Sequence, residues 1–186
     1  MDYNYKNYTL SIYTDEMYSF DSADNKNSYD IVYPNGDYIF RQANMAICLK
    51  TNYQVIKSAI LNVNSYFVKV YEKSIIIENN QFWILLANEM YCFELSTLHL
   101  LWKRALDIST NLAIYELDND FLVHGEMEIF RVTKMGDIVW QFSGRDIWVS
   151  LKEKEVLKIE KGKIYLTDFN NDEYIIDFAG NNHIIS

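Results

Sequence analysis

The feature that most narrows the fold is a stretch that occurs twice. Glu89 to Trp102 reads Glu-Met-Tyr-Cys-Phe-Glu-Leu-Ser-Thr-Leu-His-Leu-Leu-Trp, and Glu126 to Trp140 reads Glu-Met-Glu-Ile-Phe-Arg-Val-Thr-Lys-Met-Gly-Asp-Ile-Val-Trp. Both begin Glu-Met-x-x-Phe, followed by a charged residue and a branched aliphatic. Phe93 and Phe130 are 37 residues apart and Trp102 and Trp140 are 38 apart, which places one extra residue in the second connecting turn. A period of about forty residues, with short strands in each copy, predicts small antiparallel sheets that stack on one another. No such sheet can bury both faces alone.

The surrounding pattern extends the repeat. Phe82 to Leu86 and Met90 to Leu95 read as paired strands, with Leu100 to Trp102 as a third. Leu112 to Leu117 is a strand, and Phe121 to His124 and Glu128 to Val132 repeat the pair, with Ile138 to Phe142 after it. A weaker third copy holds Ile164 to Thr167 and Tyr174 to Phe178, joined by a turn from Asp168 to Asp172, with no tryptophan. Ile147 to Leu151 and Val156 to Glu160 lead into it.

The N-terminal part is strand-like without the repeat. Tyr8 to Tyr13 alternates, and Asp21 to Ser28 is polar and turn-forming. Asp30 to Phe40 reads as a hairpin, because Asn35-Gly36 supplies the positive φ angles of a tight turn. Residues 44–50 and 54–63 read as strands; Tyr53 to Leu61 also fits a short helix capped by Thr51. Tyr66 to Val70 and Ser74 to Ile77 are further strand candidates. The expected organisation is an N-terminal β region over 1–78, made of hairpins that form either degenerate blades or a separate sheet. A blade-repeat region follows over 79–186, and the two form either separate domains or one. The fold class is all-β and antiparallel. Abundant Tyr (15) and Phe (10), with one Pro and six Gly, suits half-buried strands.

Tyr91 to Trp102 resembles the blade motif of quinoprotein-like, WD-like beta-propellers. Cys92 takes that motif's small position, Glu94 stands where Asp is usual, Thr97 matches its Thr, and Leu98 replaces its glycine. The second copy has Gly136 before Ile138-Val139-Trp140, with Arg131 in place of the acid, and Asp177 and Gly180 match in the third. The resemblance covers about 82–186 and implies an incomplete propeller-like stack of blades, not an activity. A bound quinone requires a full ring, so no cofactor is expected. More loosely, a short, acidic β protein of this type resembles the immunity proteins of bacterial contact-dependent toxin systems. That resemblance implies a cytoplasmic protein that binds and blocks a basic, nuclease-like toxin.

Net charge is −9, and residues 81–186 hold seventeen acids against ten bases. Such a field repels phosphate backbones and suits a basic protein partner rather than nucleic acid. Residues 111–130 and 164–186 carry five and four acids respectively and no lysine or arginine. In the repeat alignment both include the turn between the paired strands, with Asp118 and Asp120 just before it and Asp168, Asp172 and Glu173 in it. Stacked units would then form an acidic rim. Trp148, beside Arg145 and Asp146, is either a packing residue or an exposed interface anchor.

Nothing in the sequence calls for catalysis or a metal. Cys48 and Cys92 lie far apart in apolar runs and read as buried free thiols. His99, His124 and His183 occupy different positions in the repeat. Asp168 to Glu173 resembles the start of a calcium loop but has Glu173 where that loop needs glycine, and it also fits a hairpin turn. No nucleophile elbow, phosphate loop or dinucleotide fingerprint occurs. No signal peptide and no run of membrane-spanning length is seen, so neither a membrane nor secretion is expected. The leading expectation is a non-catalytic protein-binding module. The rivals are an enzyme or small-ligand binder with a pocket at the hub of the blades, and a structural module of a larger assembly.

Overall fold

A computed structural model describes residues 1–34, 43–65, 68–151 and 155–183. Among the described residues the chain forms one five-stranded sheet and three four-stranded sheets. It divides into two compact units: residues 1–87 with 91–102, and residues 88–90 with 103–186.

The first unit starts with strands β1 (Asp2–Tyr5), β2 (Tyr8–Thr14), β3 (Ile31–Tyr33), β4 (Ala43–Thr51) and β5 (Gln54–Val63). They form a separate sheet in the order β1-β2-β4-β5-β3. All neighbours are antiparallel except β3 and β5, which are parallel. The alternation of β2, β4 and β5 sends Leu10, Ile12, Met45, Ile47, Leu49, Ala59, Leu61 and Val63 to one buried face. The helix alternative for Tyr53 to Leu61 is not realised. Asn52 and Tyr53 both take positive φ (47° and 64°), so a two-residue turn folds β5 back along β4.

Two N-terminal expectations change. Ile31–Tyr33 is a strand, but its described partner is β5 in parallel, and the expected Asn35-Gly36 turn lies outside the described residues. Residues 68–70 form no strand and lead into a single 3-10 turn at Glu72–Ser74. There Ser74 Oγ accepts the Tyr71 N–H at 2.9 Å.

The first four-stranded sheet is β6 (Ile75–Glu78), β7 (Gln81–Leu86), β8 (Glu89–Glu94) and β9 (Leu100–Ala105). It takes in Ile75–Glu78, on the N-terminal side of the boundary placed near residue 78. Phe82, Ile84, Leu86, Tyr91 and Phe93 share one apolar core with the buried face of the five-stranded sheet. Phe82 stacks on Phe93 at 5.0 Å between centroids.

The second unit carries two more sheets. One is β10 (Asn111–Leu117), β11 (Asp120–Gly125), β12 (Glu128–Thr133) and β13 (Ile138–Ser143). The other is β14 (Leu157–Glu160), β15 (Lys163–Thr167), β16 (Glu173–Asp177) and β17 (Asn182–His183). Leu117, Leu122, Ile129, Trp148, Leu157, Ile164, Leu166 and Ile176 form their common core. Each of the three sheets is a simple antiparallel meander, the blade unit that the repeat predicted.

The register of the repeat differs from the sequence match. Strands β7 and β8 map onto β11 and β12 with an offset of 39 residues, not 37. Glu126 and Met127 therefore belong to the β11–β12 turn, whereas Glu89 and Met90 begin a strand. A two-residue slip keeps every side chain on its face, so the apolar pattern alone cannot reveal it. The longer connecting turn is in the first blade, five residues between β8 and β9 against four between β12 and β13. The motif's glycine slot survives in conformation: Leu98, Gly136 and Gly180 all have positive φ (56°, 89° and 90°) in the last turn of their blades. Leu98 accepts the strained backbone and buries its side chain in the first unit's core.

Candidate functional site

Because each blade is a meander, its loops separate to two ends. In the second unit one end gathers the 106–110 connector, the 126–127 turn, the 144–156 connector and the 168–172 turn. The other end gathers the turns at 118–119, 134–137, 161–162 and 178–181.

The connector end is a continuous hydrogen-bonded belt. Leu106 N–H donates to Asn88 O at 3.0 Å. Asp107 is buried, and its carboxylate accepts Ser109 N–H at 2.7 Å, Met127 N–H at 2.9 Å and Glu128 N–H at 3.0 Å. Gly125 leaves room for this group, since a Cβ there would lie 2.2 Å from Asp107 Oδ2. Glu126 N–H donates to Thr110 O at 2.9 Å, and its carboxylate accepts the Ser109 hydroxyl. Trp148 N–H donates to Glu126 O at 2.7 Å, and Phe169 N–H to Ile147 O at 2.9 Å. Asn170 closes on Asp146 Oδ2 at 2.6 Å.

Beneath this belt a buried histidine and a half-buried tyrosine fix the second connector. His124 Nε2 lies 2.7 Å from Trp148 O, and facing a carbonyl it must carry the proton. Tyr174 OH donates to Asp168 Oδ2 and accepts Arg145 N–H, both at 3.0 Å. Burial pushes the Tyr174 phenol up, and the Asp168 carboxylate adds to the rise.

Three apolar side chains stand out of this polar belt: Ile108 (87% exposed), Leu151 (84%) and Phe169 (41%). A cleft of about 170 Å³ opens beside Phe169 and Leu151 and is also lined by Ser150, Glu155, Val156, Thr167, Asp168 and Asn171. In sequence the loops 106–110, 126–127, 144–156 and 168–172 together hold seven acids and three bases, Arg145, Lys152 and Lys154. Arg145 lies 3.7 Å from Asp172. This end therefore combines exposed apolar side chains with a surplus of carboxylates.

The residues singled out by sequence disperse. Asp118 is exposed in the turn that opens β11, and Asp120, the first residue of β11, pairs with Arg131 Nε at 2.7 Å. Arg131 also donates to Phe178 O at 2.6 Å, so Asp120 steadies a latch to the next blade. Asp168, Asp172 and Glu173 sit in or beside the turn that closes β15. The two groups occupy opposite ends of the blades, separated by a strand of about 17–20 Å. The single acidic rim is therefore not formed.

Asp168 is buried, and its carboxylate accepts Asp172 N–H at 2.9 Å as well as the Tyr174 hydroxyl. It shapes the hairpin turn, and both oxygens are committed to it. Asp172 and Glu173 remain accessible. Residues 147–151 are not a strand, and Trp148 is fully buried against Phe142 and Tyr174. Trp148 therefore packs the core of the second unit and has no surface for a partner.

Asp107 and Ile108 were missed. An Asp with Ser two residues on, just before a strand, is an Asx-turn signal that marks Asp107. No local signal marks Ile108 as exposed. Cys48 and Cys92 are free and buried, and burial pushes the Cys92 thiol up to about 12. Among the described residues no group of three or more metal-ligating side chains gathers, and no helix is long and apolar enough to cross a membrane.

No family model matches the chain, and no curated protein matches it. Solved structures similar to it include BamB from Moraxella catarrhalis, with TM-score 0.50 and 12% identity over 78% of this chain and 46% of that one. The computationally designed Ika4 protein has TM-score 0.48 and 12% identity over 63% of this chain and 75% of that one. The WD40 beta propeller domain of Doa1 has TM-score 0.46 and 16% identity over 73% and 46%. The chain thus spans less than half the length of the BamB chain it resembles. At this identity the likeness bears on the fold: the chain is an all-β protein of propeller-type blades with an N-terminal five-stranded sheet.

Proposed function

We propose that the chain is a non-catalytic protein-binding module whose connector end engages a basic partner. Its most concrete form is an immunity-type inhibitor of a nuclease-like toxin. The observation that carries the reading is the placement of Ile108, Leu151 and Phe169 among Glu126, Asp146, Asp172 and Glu173. Apolar anchors supply affinity once desolvated, and the surrounding carboxylates select a basic surface and speed encounter. The hydrogen-bonded belt lowers the ordering cost of binding, because the loops are held before the partner arrives.

The experiment is co-expression with the product of the adjacent reading frame, followed by affinity measurement across a salt series. The triple variant Glu126→Lys, Asp146→Lys, Asp172→Lys should weaken binding at least about tenfold and flatten its salt dependence. Asp118→Lys, at the opposite end, should leave the affinity within about twofold. Equal losses from the two ends would refute the assignment of the connector end.

A further inference from the structure

The N-terminal sheet carries a second surface of opposite character. From residue 38 to 71 the sequence contains no acid and four bases, Arg41, Lys50, Lys57 and Lys69, within a chain of net charge −9. The tip of the β4–β5 hairpin lies in this run. Tyr53 is fully exposed at the apex, and Val55 and Ile56 are exposed just behind it. The register skips Ile56 between Lys57 and Val55, so β5 bulges there. A bulge re-aims side chains and brings neighbouring ones together, which is how two successive aliphatic residues both face solvent.

The lysines stand behind the apolar apex. Lys50 and Lys57 flank the hairpin roughly 7–13 Å back along the strands, at about 3.3 Å per residue. Lys6 belongs to the neighbouring β1–β2 turn, which the Thr51 hydroxyl ties to the tip through Asn7 O at 3.2 Å. The closest acid along β5 is Asp30. Its carboxylate accepts the Ser58 N–H at 2.7 Å and the hydroxyl at 3.0 Å and also feels the Lys57 charge, so Asp30 offsets part of one lysine of the collar.

We propose that this tip is a docking site for an anionic lipid surface. An apolar apex with a cationic collar matches the layering of a bilayer, whose headgroups carry the negative charge and whose acyl boundary lies about 5–10 Å deeper. Tyrosine is suited to that boundary, having an apolar ring and a polar hydroxyl. The net acidity of the chain does not cancel the attraction, because charges beyond about 8 Å are largely screened at physiological salt. The tip belongs to the first unit and the connector end to the second, and the two proposals stand or fall independently.

The test is flotation of the full chain with phosphatidylserine–phosphatidylcholine vesicles and with pure phosphatidylcholine vesicles. Binding is expected to the anionic vesicles only and to weaken as salt rises. Lys50→Glu with Lys57→Glu should reduce it by about tenfold or more. Tyr53→Ser should reduce it with unchanged circular dichroism and melting temperature. Tyr53→Trp should show blue-shifted emission on the vesicles and quenching by brominated acyl chains. Flotation that ignores both the lipid charge and these substitutions would overturn the proposal. So would a Tyr53→Trp shift with soluble polyglutamate and none with vesicles, which would make the tip a site for an acidic protein.

Discussion

The two ends of the second unit are made by the same strands yet differ in how their loops are held. At the connector end, successive loops bond to one another, from Asn88 through Asp107, Glu126 and Trp148 to Phe169. At the turn end, each hairpin largely satisfies itself: Gly136 N–H returns to Thr133 O, and Gly180 N–H to Asp177 O. The charge follows the same division. The connector-end loops hold seven acids and three bases, while residues 118–119, 134–137, 161–162 and 178–181 hold two of each. Cross-bonded loops behave as one surface, whereas the turns of the other end are tied to side chains of neighbouring strands, Gly136 O to Arg104 and Phe178 O to Arg131 and Trp140. A binding face therefore fits the first end better than the second.

That contrast breaks most severely at Trp148. Trp148→Ala removes the largest side chain from the second unit's core, where it packs on Phe142 and Tyr174. It should cost about 3–5 kcal/mol in chemical denaturation. Trp148→Phe should cost clearly less, because it keeps ring contact and also deletes an indole N–H that is buried without a partner. Equal losses for the two variants would show that ring packing is not what holds the connector.

Asp107 is the next largest effect and tests whether the belt is cooperative. Asp107→Ala leaves the N–H groups of Ser109, Met127 and Glu128 without their shared acceptor. A loss of about 2–3 kcal/mol is expected, with faster amide exchange in both the 106–110 connector and the 126–127 turn. Faster exchange in only one of the two loops would mean that they are not coupled through this carboxylate.

Much of the blade architecture was legible because strands advertise themselves by alternation and turns by Asn, Asp and Gly. Asn79-Asn80, Asp118 and Gly136 all fall at positive φ, where such residues belong. The register error has one physical origin. A period of two cannot distinguish a register from one shifted by two residues, so Met90 matched Met127 although its structural counterpart is Ile129. The acidic rim fails for another reason: Asp118 precedes β11 and Asp168 follows β15, so they fall at opposite ends of their blades. Composition also cannot tell an accessible acid from a structural one. Asp168 and Asp107 are buried acceptors of backbone N–H groups, while Glu173 is exposed. Strand alternation leaves Trp148 open between packing residue and interface anchor, and the irregular connector decides for packing.

Gly180 probes the turn end and the latch that reaches it. Trp140 donates its indole N–H to Phe178 O at 2.9 Å, alongside Arg131. Its ring covers Gly180 so closely that a Cβ would lie 2.8 Å from Trp140 Cγ. Gly180→Ala combines that clash with a φ of 90° and should cost about 1–2 kcal/mol. Gly162→Ala has a comparable φ of 75° and nothing near its Cβ, so it isolates the backbone part. If the two variants lose the same stability, the indole yields freely and the latch contributes little.

The smallest effect concerns the same turn and appears only in acid. Asp177 accepts the Asn181 side-chain amide and the backbone N–H groups of Asn181 and Ala179. These bonds, those from Asn181 foremost, hold its carboxyl at about 2, below the ordinary 3.8. The sign follows from which state holds the proton more tightly. The unfolded chain protonates Asp177 first, so its contribution is complete above about pH 4 and fades as pH falls through about 2. The stability difference between the wild type and Asp177→Asn should therefore be flat from neutral pH down to about pH 4 and shrink below it. His183 lies 3.2 Å from Asp177 Oδ2, so both chains carry His183→Gln and that interaction drops out of the comparison. A difference that stayed constant down to pH 2 would mean that the turn draws on the shape of the side chain and not its charge.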